Sequence, residues 1–176
     1  MYDNLYIQNI RQSILNIGAG ELLPWKKSVL ADINLFNLLF EFIFSNDQRL
    51  AWRSCWIIDS ASEDNPDLLA DKLPIIIAEL CSTKNGSLKR HFTRILSRYE
   101  IPEEYLVNIV DRSFELLAPS EPIAVRVNAM QILYNITKHI PELKGELISV
   151  LESIIEEGCS AGFLNRSTKL LRKLKS

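Results

Sequence analysis

Apolar positions along this chain recur with a helical rhythm, and one stripe of them returns at a fixed interval. Leu50, Ser54, Ile57, Ile58 and Ala61 are separated by 4, 3, 1 and 3 residues. The same spacing recurs at Leu88, Phe92, Ile95, Leu96, Tyr99, at Val125, Ala129, Ile132, Leu133, Ile136, and at Phe163, Ser167, Leu170, Leu171, Leu174. Residues so spaced share one face of an α-helix, so each stripe predicts an amphipathic helix, here termed an A helix. Their first residues, at 50, 88, 125 and 163, are 38, 37 and 38 apart. A register kept over four helices marks an internal repeat.

Each of the first three A helices is followed by a second, B-type pattern. Pro66, Pro102 and Pro141 stand where the B helices begin, a position at which a missing N–H costs nothing. Asp67, the Glu103-Glu104 pair and Glu142 follow at once and complement the positive end of a helix dipole. Turns at Lys84–Ser87, Pro119–Pro122 and Gly158–Ser160 separate the repeats. Upstream, 3–17 and 27–45 read as a further helix pair joined by the Gly18-Ala19-Gly20 to Pro24 turn. The expected organisation is one all-α solenoid domain over 1–176, with an N-terminal capping pair (1–46), three repeats (47–158) and a C-terminal capping helix (159–176).

The first-helix segment Glu121-Pro122-Ile123-Ala124-Val125-Arg126-Val127-Asn128-Ala129-Met130-Gln131-Ile132-Leu133 resembles a HEAT repeat, with its Val-Arg-x-x-Ala-x-x-x-Leu core. The other repeats depart from it: Lys89 and Leu164 stand in the arginine position, and Phe92 replaces the alanine. The resemblance to the HEAT and armadillo class covers roughly residues 47–176. It implies a right-handed α-α superhelix that binds extended partners as a scaffold, with the B helices lining the usual docking groove.

Charge sharpens this picture. Lys and Arg total 20 against 22 Asp and Glu, a net charge of −2, so the chain as a whole has no pull toward polyanions. Helical projection nevertheless separates two layers. The outward B positions hold Asp71, Ile75, Ala78, then Glu104, Asn108, Asp111, Glu115, then Glu142, Glu146, Ser149, Ser153, Glu156. The outward A positions hold Arg49, Trp52, Trp56, Asp59, then Arg90, Arg94, then Gln131, Tyr134, Lys138, then Asn165, Lys169, Arg172.

From the resemblance, the groove is expected to be acidic and to receive a basic or mixed peptide of a partner protein. Asp71, Asp111, Glu115 and Glu146 would be the charge partners and Ile75 an apolar contact. The A face carries the alternative. Trp56, Asp59 and Arg94 (or Arg90) resemble the tryptophan, aspartate and arginine of HEAT-like alkylpurine DNA glycosylases. There Trp52 and Trp56 would stack on bases while Arg90 and Arg94 hold phosphate. Trp52 and Trp56 also admit a simpler reading, burial beneath the N-terminal helix pair.

No other chemistry is expected. His91 and His139 are far apart and read as surface residues; Gly18-Ala19-Gly20 lacks the context of a phosphate loop. Cys55, Cys81 and Cys159 lack ligand spacing and read as free thiols of a cytoplasmic protein. The apolar stretch Leu35–Phe44 is too short to span a bilayer, and the N-terminus lacks the features of a secretory signal. The expectation is a non-enzymatic interaction module without cofactor, metal or membrane partner.

Overall fold

The computed structural model describes residues 2–176 and contains ten α-helices, with no strand among the described residues. The chain is all-α. It divides into two compact units, one ending at Lys72 and the other comprising Leu73–Ser176.

The first unit contains α1 (Asn4–Asn16), α2 (Leu22–Ala31), α3 (Ile33–Phe42) and α4 (Gln48–Asp64), followed by a 3-10 segment, Pro66–Lys72. Helices α1, α2 and α3 all pack on α4. The repeat stripe of α4 explains this: Leu50, Ser54, Ile57, Ile58 and Ala61 are buried, and Ala51 and Cys55 widen the covered face. The 27–45 segment, expected as one helix, is instead broken at Asp32. Its backbone is extended (φ −135°, ψ 105°) and its carboxylate accepts from Asn34 N at 2.9 Å and Leu35 N at 3.4 Å. A short acidic side chain that bonds nearby amides favours a cap over a helix interior. Asp3 and Asp47 cap α1 and α4 in the same way. Pro24 lies inside the first turn of α2, where amides have no intrahelical acceptor to lose.

The second unit contains α5 (Leu73–Ser82), α6 (Gly86–Leu96), α7 (Leu106–Glu115), α8 (Ile123–Ile136), α9 (Leu143–Glu156) and α10 (Ala161–Lys175). The A helices α6, α8 and α10 pack side by side in sequence. On them lie the B helices: α5 against α6 and α7, α7 against α8, and α9 against α8 and α10. Each helix thus buries its apolar stripe only against its neighbours, which is the packing of an α-solenoid. Leu88, Phe92, Ile95, Leu96, Val125, Ala129, Ile132, Leu133, Ile136, Phe163, Leu170 and Leu174 form its core. The prolines do not sit in the α-helices proper. Pro66 opens a 3-10 segment ahead of α5, Pro102 caps a 3-10 turn, Glu103–Tyr105, ahead of α7, and Pro141 lies in a turn before α9. Gly158, just past α9, has φ +95°, a conformation that ends the helix and favours glycine.

Helix ends in both units are finished by side chains from a later helix. Arg53 of α4 donates Nη1 to the carbonyls of Ile14 (3.2 Å) and Leu15 at the end of α1. Arg112 of α7 donates Nε to Leu80 O (3.0 Å) and Nη2 to Thr83 O (3.4 Å), closing α5. Asn135 of α8 donates to Ser97 O at 2.9 Å, closing α6. Carbonyls left over at a helix C-terminus, the negative end of its dipole, are suited to such donors.

Candidate functional site

In the second unit, B-helix residues opposite the buried positions Ile76, Ile77, Leu80, Ile109, Leu147 and Leu151 face solvent. Ile75, Ala78, Asn108, Asp111, Glu115, Glu146, Ser149, Ser153 and Glu156 are all exposed, as are Glu104 and Glu142 ahead of α7 and α9. Ile75 retains 47% of its surface and Val107 73%, so apolar contacts accompany the carboxylates.

Between α5 and α7 this face is indented by a cleft of about 310 Å³, lined by Ala78, Cys81, Tyr105, Asn108, Asp111 and Glu115 above Ile77 and Arg112. Arg112 organises it. While holding the end of α5, its Nη1 donates to Glu115 Oε2 at 2.8 Å, so one guanidinium ties a carboxylate to the neighbouring helix. The Glu115 side chain keeps 66% of its surface even so, leaving acceptor capacity for an incoming donor. Burial pushes the Cys81 thiol up from its ordinary value, with Arg112 pulling it down and Glu115 raising it. The structure therefore brings Asp111 and Glu115 together around one cleft; Ile75 and Glu146 are exposed but outside its lining. Asp71 belongs to the first unit. Its carboxylate lies 2.9 Å from Lys72 Nζ, beside a separate depression of about 330 Å³ with Ile33, Phe36 and Asn65.

The alternative A face is changed by burial. Asp59, expected on an outward stripe, is fully buried because α4 is covered by three helices rather than one. Trp52 and Trp56 are half-buried, their ring centres 6.2 Å apart, with the Arg53 guanidinium 5.4 Å from the Trp52 ring. They fall between the two expectations of full burial and full exposure. Trp52, Trp56 and Asp59 belong to the first unit, Arg90 and Arg94 to the second. His91, expected at the surface, is buried at 7% exposure.

A depression of about 580 Å³ in the second unit is lined by Tyr99, Ile101, Leu106, Ile136 and Ile140, with Glu100 and His139 among its polar residues. The His139 Nε2 to Glu100 Oε1 separation is 3.8 Å and both side chains are largely exposed, so neither is held for proton transfer. Among the described residues no group of three or more His, Cys, Asp or Glu is placed to hold a metal ion, and no helix is long and apolar enough to cross a membrane.

The repeat core supplies the last observation. Arg126, in the segment that resembles a HEAT first helix, is buried, and its Nε donates to Leu117 O at 2.9 Å. The HEAT repeat domain family matches residues 16–174. The chain belongs to this family. The HEAT match begins ahead of the residues that carry the resemblance in sequence and takes in α2 and α3 as well. No curated protein and no solved structure matches the chain.

Proposed function

We propose that this HEAT repeat protein is an interaction module that receives a basic or mixed segment of a partner protein on its acidic B-helix face. The observation that carries the reading is the cleft between α5 and α7, where Asp111 and the Arg112-anchored Glu115 flank an opening above Ile77 and Ala78. Lys or Arg side chains of an extended segment would meet these carboxylates, with Glu146 beyond the cleft and Ile75 and Val107 as apolar neighbours. Exposed charges of this kind steer and select partners more than they hold them, so the apolar rim and the cleft supply the seat. Membership of the HEAT family supports the same reading, because repeats of this kind commonly serve as binding scaffolds. Asp71 lies in the first unit and is a charge partner only for segments that reach it.

The test is fluorescence anisotropy with a labelled peptide of alternating Lys and apolar residues, measured on the full chain. Asp111→Lys with Glu115→Lys and Glu146→Lys is expected to weaken binding about tenfold or more at low salt. Equal affinity of the parent and the triple variant would remove the proposal.

A further inference from the structure

A second charged surface lies between α8 and α10, and its sign is opposite. A cleft of about 220 Å³ is lined by Gln131, Tyr134, Arg166, Lys169, Arg172 and Lys173. Lys138 borders it, with its Nζ 5.2 Å from the centre of the Tyr134 ring, and Lys173 Nζ lies 5.9 Å from the same ring. Lys138, Arg166, Lys169, Arg172 and Lys173 are all exposed, and among the described residues none of them is within ion-pairing distance of a carboxylate. Elsewhere in this unit Lys89 holds Glu121, Arg112 holds Glu115, and Lys175 holds Glu152. Five cations gathered around one small cleft repel one another, and solubility alone does not call for that clustering.

One of the five is also held in place. Arg166 donates Nη2 to Gln131 Oε1 at 2.6 Å, Gln131 donates Nε2 to Asn135 Oδ1 at 2.8 Å, and Asn135 donates Nδ2 to Ser97 O at 2.9 Å. The chain of donors ends on a backbone carbonyl at the close of α6. It orients the guanidinium while leaving most of its N–H groups available, and an oriented guanidinium binds a carboxylate with little further loss of side-chain freedom. The Tyr134 ring supplies a flat apolar surface beside it.

From this geometry we infer that the α8–α10 cleft is a docking site for a short acidic segment of a partner protein, independent of the acidic B-helix face. An acidic peptide fits better than a nucleic acid for two reasons. The exposed cations without a carboxylate partner are concentrated on α10 and at Lys138, with Arg90 on α6 apart from them, instead of running as a continuous stripe along the A layer. Lys89 is neutralised by Glu121, and Arg94 and Arg98 already have contacts of their own. The chain as a whole, at −2, also has no pull toward a long polyanion, while a short one feels mainly the local cluster. With two docking surfaces of opposite sign, the module selects partners by charge at each.

The experiment is anisotropy of a short fluorescein-labelled peptide of alternating Asp and Glu, titrated with the full chain, with a short DNA duplex as competitor. Saturable binding that weakens as salt rises is expected. Arg166→Glu with Lys169→Glu is expected to cost about tenfold or more in affinity, and Gln131→Ala, which preserves every charge but releases the guanidinium, about two- to threefold. Arg90→Glu, on α6, and the Asp111, Glu115 and Glu146 reversals should leave the affinity undiminished, which separates this site from the one proposed above. Circular dichroism checks folding; if the double reversal unfolds, Arg166→Gln with Lys169→Gln replaces it. Absence of saturable binding overturns the inference, as does an equal loss in Arg90→Glu. A duplex that binds more tightly than the peptide through Arg166 and Lys169 overturns it too. So does self-association of the chain that depends on those residues and that the peptide does not disperse.

Discussion

The guanidinium carbon of Arg126 lies 4.1 Å from the centre of the Phe163 ring, so the characteristic arginine of one A helix is roofed by the first core residue of the next. Buried at 6% exposure, it bonds the carbonyl of Leu117 and stacks on an aromatic face, which together offset part of its desolvation. Arg126→Ala should therefore destabilise the chain by about 2–4 kcal/mol, since it leaves a void and an unbonded carbonyl. Arg126→Lys should recover only part, because an ammonium cannot stack as a planar group. Urea unfolding of the three proteins decides the matter. Full recovery by lysine would show that charge, not the stacked plane, is what the site needs.

Tyr2 and Asp32 link acid and alkaline stability in the first unit. The Tyr2 hydroxyl donates to the Asp32 carboxylate, which pushes the tyrosine up from 10.0 to about 12 and holds the aspartate below its ordinary value. The depressed carboxylate contributes stability above its unfolded value, lost as pH falls through the folded one. The raised tyrosine contributes below pH 10.0 and loses that contribution as pH climbs toward 12. Tyr2→Phe is expected to move the Asp32 titration upward, toward an ordinary aspartate, and to abolish the alkaline loss between those limits. NMR titration of the Asp32 carboxyl reads the first effect and thermal melts across alkaline pH read the second.

Cysteine labelling reports on the B-helix cleft. Cys55 is fully buried and its thiol is raised well above the ordinary value by burial and by the nearby Asp59 charge, whereas Cys81 is exposed in the cleft beside Asp111. Maleimide should modify Cys81 in the folded chain, slowly at neutral pH because burial raises its thiol, and faster as pH rises past 9.0. Cys55 should react only on unfolding. A bulky adduct on Cys81 should reduce binding of the Lys-rich peptide about tenfold while sparing the acidic one. Mass spectrometry of the labelled protein with anisotropy on the adduct checks both.

The start of α6 rests on Asn85, whose side chain accepts from Ser87 N at 2.9 Å and Leu88 N at 3.3 Å. Asn85→Ala should cost about 1 kcal/mol and Asn85→Asp almost nothing. A flat response to alanine in thermal unfolding would mean that this cap contributes no stability.

Much of the fold was legible because a core helix needs the same spacing wherever it packs. Every residue of the stripes beginning at Leu50 and Val125 is buried, and only Tyr99 and Leu171 of the other two are partly open. What the stripes could not report is how many neighbours a helix has. Asp59 lies opposite the apolar row of α4, yet it is buried, because α1, α2 and α3 all pack on α4 and cover more of it than that row. Arg126 reads as polar in any periodicity, and its burial becomes tolerable through the carbonyl of Leu117 and the ring of Phe163, which comes from a different repeat. On the acidic face, exposure of Asp111, Glu115 and Glu146 followed from helical phase alone. The cleft that joins Asp111 to Glu115 did not, because it depends on Arg112 reaching across to the end of α5. The Arg166 relay escaped notice for the same reason: its members come from three different helices or their ends.

The habit by which a later helix closes an earlier one gives the fold a direction. Arg53, Arg112 and Asn135 each donate backward, to carbonyls that precede them in the chain. Shortening the protein from its C-terminal side therefore strips donors from helices that stay behind and leaves their ends raw, while shortening from the other side removes, at these three contacts, only the acceptors. Trimming should be asymmetric in its damage, and a growing polypeptide can complete each layer only after the following one has emerged.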